Sequence, residues 1–536
     1  MLTITDWTVV ITYLAALVSI SGYLSRQQET VEDYFVASNT AGPVSIALSV
    51  MATQCSTNSI LGAPAFVAFV VGGGLVWLQY ELALPLAMIF IAVFMIPIFH
   101  RQRLVSVYLY LGRRFDEKTQ LLISGMFQLS RAAVAGITVY GVASMISIMT
   151  GLAFAQSVLL FGLITIIYDV LGGIRAVIIS DVVQMVILTG VLGYLAALLI
   201  GGAGGLAGML EQLSPDRTAA LSFRHHGLGD GHDFAFLPML IGGFFLYVAY
   251  YGCDQSQVQR QLCAASQDDS QKVLLINGLL RFPLVLLYCL IGAGLAVYAG
   301  AHPDFLPSLP VVNEAPNFNM ALPALLTREL PVGLVGLAVV ALLAAAMSSL
   351  DSVINSLSAT TLKDFIKPWM GDRIDTPAQE LLWGRALTVA WGMFALITAF
   401  FVDDIASTVL VAVNKIGSLI NGPILGVFLL GLLTHRATGP GARAGFVAGL
   451  SVNVVLWVAL PSVSWLWWNV IGLGATMAVG LIFSRDANSA SVSPDLIWSP
   501  RAYQEVGFSR SWTPAYVALF VWTLMLFAVL LWFGMR

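Results

Sequence analysis

Apolar runs of about 20 residues recur from one end of the chain to the other. They lie near 5–25, 43–70, 73–99, 119–148, 153–170, 174–202, 236–256, 271–299, 332–365, 381–402, 405–433, 441–460, 463–485 and 513–533. Each is long enough to cross a hydrocarbon core about 30 Å thick as a helix. The pattern therefore predicts an all-α membrane protein of about fourteen transmembrane helices. The first run has no basic lead and no small-residue cleavage site, so it is expected to stay as a helix rather than be removed as a signal peptide.

Three runs carry polar residues where an ordinary span would not. ALLAAAMSSLDSVINSLSATT (Ala341–Thr361) places Ser348, Ser349, Asp351, Ser352, Asn355, Ser356 and Ser358 in successive turns, with no Gly or Pro to end the helix. At 100° per residue Ser348, Ser352, Asn355 and Ala359 share a face, with Asp351 beside Ser348. A carboxylate facing lipid is costly, so this face is expected to look into the bundle or onto a water-filled path. Its hydroxyl, carbonyl and carboxylate oxygens are hard donors that suit a hard cation. The same residues also serve where small polar side chains let helices pack closely. In SVMATQCSTNSILGAPAF (Ser49–Phe66) and FFLYVAYYGCDQSQVQR (Phe244–Arg260), apolar sequence gives way to polar. A helix that breaks at such a point frees backbone carbonyls beside a cavity. Two broken helices about 200 residues apart, each opening a five-helix group, are the pattern of an inverted-repeat transporter with its site at the repeat interface.

Charge sets the orientation. Nineteen of the 25 Lys and Arg fall on inner loops or adjoining helix ends if the N-terminus is outside, among them Arg26, Arg101, Arg175, Arg260, Arg281, Lys363, Arg485 and Arg501. Only Arg217, Arg224, Arg328 and Arg536 fall outside, with Arg131 and Lys415 inside helices. The excess of basic residues on inner loops places both termini outside. Glu81, Arg131 and Asp181 are the ionisable groups expected within the membrane, and such groups are functional candidates. Glu81 pairing with Arg131, and Asp181 with Arg175, are the structural alternatives.

A composition of 58% hydrophobic and 10% charged residues leaves no stretch suited to a soluble domain, and a net charge of -4 gives no reason to expect nucleic acid. The four Cys have no metal-ligand spacing. His225, His226 and His232 sit in a Gly-rich external loop, where polar residues gather without a metal role. GGAGGLAG lacks the Lys-Ser or Lys-Thr of a phosphate loop, and neither a zinc-type His/Glu spacing nor a nucleophile elbow is present, so an enzyme is not expected.

Four segments in order, LGGIRAVIISDVVQ, YGCDQSQVQRQL, MSSLDSVINSLSATTLKDFIKP and VNKIGSLINGPILGVFLLGLL, resemble the sodium:solute symporter family over about residues 33–482. The resemblance implies a leucine-transporter-like core of five plus five inverted helices. It divides the chain into a peripheral helix and loop (1–42), a first repeat (43–202), a second repeat (203–433) and three further helices (434–536). It implies a sodium site shared across the family, formed by backbone carbonyls of Ala52, Cys55 and Ala345 with the hydroxyls of Ser348 and Ser349. A possible second sodium, as in some sialic acid symporters, falls on Asp181, Ser348, Asp351 and Ser352. Asp351 departs from those relatives, which have Ser there. The solute pocket matched from them comprises Gln54, Ser56, Ser59, Gln79 and Arg131. The fork of Arg131 suits a carboxylate. The expected function is sodium-coupled symport of a small, carboxylate-bearing organic solute by alternating access. A neutral solute, or a sodium-conducting or sensory role on the same fold, is the alternative. The partners are the solute, sodium ions and the bilayer of the cell membrane, the inner one in a Gram-negative bacterium; nothing in the sequence sets an oligomeric state.

Overall fold

The computed structural model describes residues 2–26, 28–312, 314–374, 376–402, 409–484, 492–500, 503 and 508–534. Arg485, Arg501, Arg536 and the first residues of the run at 405–433 lie outside the described residues. Among the described residues, eleven helices are long and apolar enough to cross a membrane, and three shorter apolar helices accompany them. The principal elements are α1 (Ile4–Ser25), α2 (Pro43–Gln54), α3 (Thr57–Phe69), α4 (Leu75–Phe94), α5 (Glu117–Thr150), α6 (Phe154–Gly202), α7 (Gly243–Cys253), α8 (Gln255–Leu262), α9 (Gln267–Ala301), α10 (Leu334–Thr360), α11 (Pro377–Ala399), α12 (Val409–Leu433), α13 (Gly439–Ala459), α14 (Trp465–Ile482) and α15 (Thr513–Gly534).

Three departures from the hydropathy pattern position the site. The run at 43–70 is two helices: Cys55 leaves helical geometry at ψ 48°, and Ser56, in an extended conformation, caps α3 by accepting from the Ser59 N–H at 3.3 Å. The run at 236–256 breaks in the same way at Asp254 (φ -86°, ψ 121°), whose carboxylate accepts from Ser256 N at 2.9 Å and Ser256 Oγ at 2.6 Å. Ser and Asp are favoured N-cap residues because a side-chain oxygen satisfies the N–H groups that a helix start leaves open. Each break therefore starts a new helix at once. The runs at 153–170 and 174–202 are two helices with no loop between them, meeting at Gly173, where φ is +54° and a Cβ would stand 2.7 Å from the Tyr34 carbonyl oxygen.

At the centre lies α10, buried along nearly its whole length and packed on α6, α5, α2 and α1. Its N-terminus is held from outside the core by Asp6 of α1, whose Oδ1 accepts from Gly333 N at 2.7 Å and Gly336 N at 2.8 Å. A carboxylate there completes open backbone donors and complements the helix dipole. The Ser-rich half of α10 is fully enclosed by protein rather than facing lipid.

Candidate functional site

Around the two breaks, α3, α4, α5, α7, α9, α10 and α12 contribute walls to a cavity of about 1090 Å³ of atom-free space, part of it open to solvent. Gln54, Ser56 and Ser59 reach it from the first break and Arg131 from α5. Gln79, expected beside them, is elsewhere: fully buried, it donates to the Phe234 carbonyl at 2.7 Å and accepts from Ser222 N at 3.1 Å, so it holds the external loop. Trp77, Tyr80, Tyr247 and Tyr250 supply aromatic wall between the polar groups.

The cavity carries two internal ion pairs. Arg131 turns both Nε and Nη2 onto Asp254 Oδ2, and its guanidinium lies 5.1 Å from the centre of the Tyr250 ring. Asp254 is pinned by its cap to Ser256, so Arg131 is presented in one orientation. Glu81 does not pair with Arg131: its Oε1 accepts from the Tyr247 hydroxyl at 2.9 Å and its Oε2 lies 3.7 Å from Arg281 Nε. Arg281, grouped by the charge pattern with the inner helix ends, is instead buried in α9 on the cavity wall. Compensating each cation lowers the cost of burying it.

Next to the cavity, Ser349 Oγ donates to the carbonyls of Thr53 and Ala345, both at 3.1 Å, and thereby ties the first break to α10. Ser348 Oγ is fully buried and makes no hydrogen bond of good geometry, although the Asp181 carboxylate is close by. Leaving such a hydroxyl unsatisfied costs about 1–3 kcal/mol, which a ligand taking its lone pair relieves. Ala52 and Cys55 lie at the last turn before the break, where helix carbonyls lose their donors four residues on. The five residues expected to hold sodium thus belong to two elements in contact, and their neutral oxygens are the donor type a small hard cation takes.

The region of Asp181, Ser348, Asp351 and Ser352 differs from an open cage. The fully buried guanidinium of Arg260 stands among them, with Nη2 3.5 Å from Asp181 Oδ2, 3.8 Å from Asp351 Oδ1 and hydrogen-bonded to Ser352 Oγ. Its Nε donates to Ser49 Oγ at 2.8 Å and its Nη1 to the Ser256 carbonyl at 2.9 Å. Asp181 also accepts from Ser49, and Asp351 from the Tyr168 hydroxyl. Asp181 therefore finds its cation in Arg260 rather than Arg175. The presence of Arg260 in YGCDQSQVQRQL was visible in the sequence; its direction was not, because an Arg near an inner helix end ordinarily faces water.

Comparison with known proteins agrees with this architecture. The chain is 30% identical to the sodium/sialic acid symporter of Aliivibrio fischeri over 494 residues, covering 90% of this chain and 94% of the relative. It is 28% identical to the sodium-dependent multivitamin transporter of Oryctolagus cuniculus over 512 residues, 91% and 75% of the two chains. A solved Na+-coupled sialic acid symporter in a substrate-bound, outward-open state superposes with a TM-score of 0.77 at 25% identity, covering 91% of this chain and 98% of that one. The profile of the sodium:solute symporter family matches residues 34–449. With its broken helices and its enclosed polar α10, this multi-pass membrane protein belongs to the sodium:solute symporter family and couples solute transport to sodium.

Proposed function

We propose that the protein imports a carboxylate-bearing organic solute together with sodium, with Arg131 as the anion-recognising group. The observation that carries this reading is a guanidinium on the cavity wall, fixed by Asp254 and Tyr250 before any solute arrives. Nε and Nη2 are engaged, which leaves Nη1 to meet a carboxylate, while Gln54, Ser56 and Ser59 offer hydrogen bonds to its other polar groups. Kinship with sialic acid symporters, whose solute is a carboxylate, supports the same assignment.

Sodium enters as co-substrate at Ala52, Cys55, Ala345, Ser348 and Ser349. Bridging the first break to α10, it favours the arrangement in which Gln54, Ser56 and Ser59 line the cavity. We assign the position among Asp181, Ser348, Asp351 and Ser352 to the side chain of Arg260 rather than to an ion. One guanidinium between two carboxylates supports this, because a sodium added beside it would meet a like charge.

The test is sodium-driven uptake into proteoliposomes across organic acids, sugars, amino acids and vitamins. An organic acid is expected to be taken up, and Arg131→Lys, which keeps the charge but loses the planar fork, should raise its half-saturating concentration at least about tenfold, or 1.4 kcal/mol. Uptake of neutral solutes alone, or an unchanged constant in Arg131→Lys, excludes the anion-binding role.

A further inference from the structure

Among the described residues, the other buried carboxylates each have at least one hydrogen-bond donor. Asp364 accepts from Ser106 at 2.8 Å, Ser124 at 2.6 Å and Gln120 at 3.0 Å, and Asp181 and Asp351 share Arg260. Among the described residues, Asp169 is the exception: it is completely buried, neither carboxylate oxygen makes a hydrogen bond of good geometry, and the amide that faces it is that of Asn355. It lies four residues before the kink at Gly173, which the basic Arg175 places on the inner side. The Tyr34 hydroxyl, which could have served it, donates instead to the Asp169 backbone carbonyl at 3.2 Å.

Across from it on α10 is Asn355, two turns inward of Ser348 on the same face. Asn355 Oδ1 accepts from Gln259 Nε2 at 2.8 Å, and that nitrogen also donates to the Phe35 carbonyl at 2.7 Å. Gln259 Oε1 is left without a donor, and so is Asn355 Nδ2 without an acceptor. The local balance is three open acceptor oxygens, two of them on the Asp169 carboxylate, against one open donor. Turning Asn355 Nδ2 onto Asp169 still leaves two. Arg260, the cation nearest in effect, already has its nitrogens on Ser49, Ser256, Ser352 and the other two carboxylates. A dry pocket with surplus acceptors and surplus negative charge calls for a cation, and carboxylate and amide oxygens favour a hard one.

We propose that Asp169, with Gln259 and Asn355, holds a second sodium ion, inward of the cage at Ser348 and Ser349 by about 10 Å of helix rise. Sodium leaving the cage toward the inner loops passes this station, and the ion resting there supplies the charge that Asp169 lacks.

The test is equilibrium binding of 22Na+ to the purified full-length protein in detergent, read by scintillation proximity. Two sodium ions per chain are expected for the unmodified protein, one for Asp169→Asn and one for Ser349→Ala. Asp169→Asn should also melt higher than the parent in sodium-free buffer and show a smaller sodium-induced rise. A count of one in the unmodified protein overturns the proposal without recourse to any variant. A count of two in Asp169→Asn overturns it equally and makes Asp169 a protonated acid. Because the readout is sodium alone, failure here is distinct from failure of the solute assignment, which uptake of organic acids decides.

Discussion

Ser348 and Ser349 are chemically identical neighbours, yet their surroundings separate what each contributes. Ser349 carries hydrogen bonds to Thr53 and Ala345, whereas Ser348 has none of good geometry. Ser348→Ala is therefore expected to raise the half-saturating sodium concentration at least about tenfold, which is 1.4 kcal/mol, while leaving the melting temperature in sodium-free buffer unchanged. Ser349→Ala should weaken sodium activation and also cost about 0.5–1.5 kcal/mol of stability through the lost link to the first break. Sodium-activation curves in proteoliposomes, set beside thermal unfolding in detergent, check both. Normal sodium activation in both variants removes these hydroxyls from the cage.

The helix α6 shows how far an element can be read from its sequence. The Gly pair in YDVLGGIRAVIISD announces an interruption, and the structure places it at Gly173 with a positive φ and Tyr34 packed where a Cβ would be. Gly173→Ala should lose roughly 1–3 kcal/mol from the backbone conformation alone, with the clash against Tyr34 added. Gly190→Ala, in the helix after it with nothing within 4 Å, should melt at or above the parent temperature; equal effects of the two changes in thermal unfolding refute this account of the kink. Breaks and caps were legible because Ser56 and Asp254 act on N–H groups two or three residues away. The ion pairs were not. Arg131 and Asp254 stand 123 residues apart, and Arg281 lies on a different helix from Glu81, so no periodicity relates them. The enclosure of Asp169 was not legible either, since nothing local to YDVLGG shows that Asn355 of α10 and Arg260 of α8 close in on it.

At the scale of the whole molecule, the external loop is fastened over the outer end of the cavity. Phe234 packs 4.7 Å from the ring of Phe66 and 6.1 Å from Trp77, Gln79 grips its backbone, and Asp233 lies 3.7 Å from Lys415 of α12. Gln79→Ala should release this cover, so hydrogen exchange across residues 219–236 is expected to quicken at least about tenfold while the inner loops keep their protection; unaltered exchange there means that Gln79 is not the fastening. Beneath the cover, the short helix α8 has a different consequence. Its cap, Asp254, holds Arg131 on the cavity wall, and six residues along, about 9 Å of rise, Arg260 in its last turn fastens α2, α6 and α10 together. A single two-turn rod thus has one end on the Arg131 pair at the cavity wall and the other in the charge network of Asp181 and Asp351. Any coupling carried through this shaft is reciprocal: by whatever factor the cation tightens the grip on the anion, the anion tightens the grip on the cation.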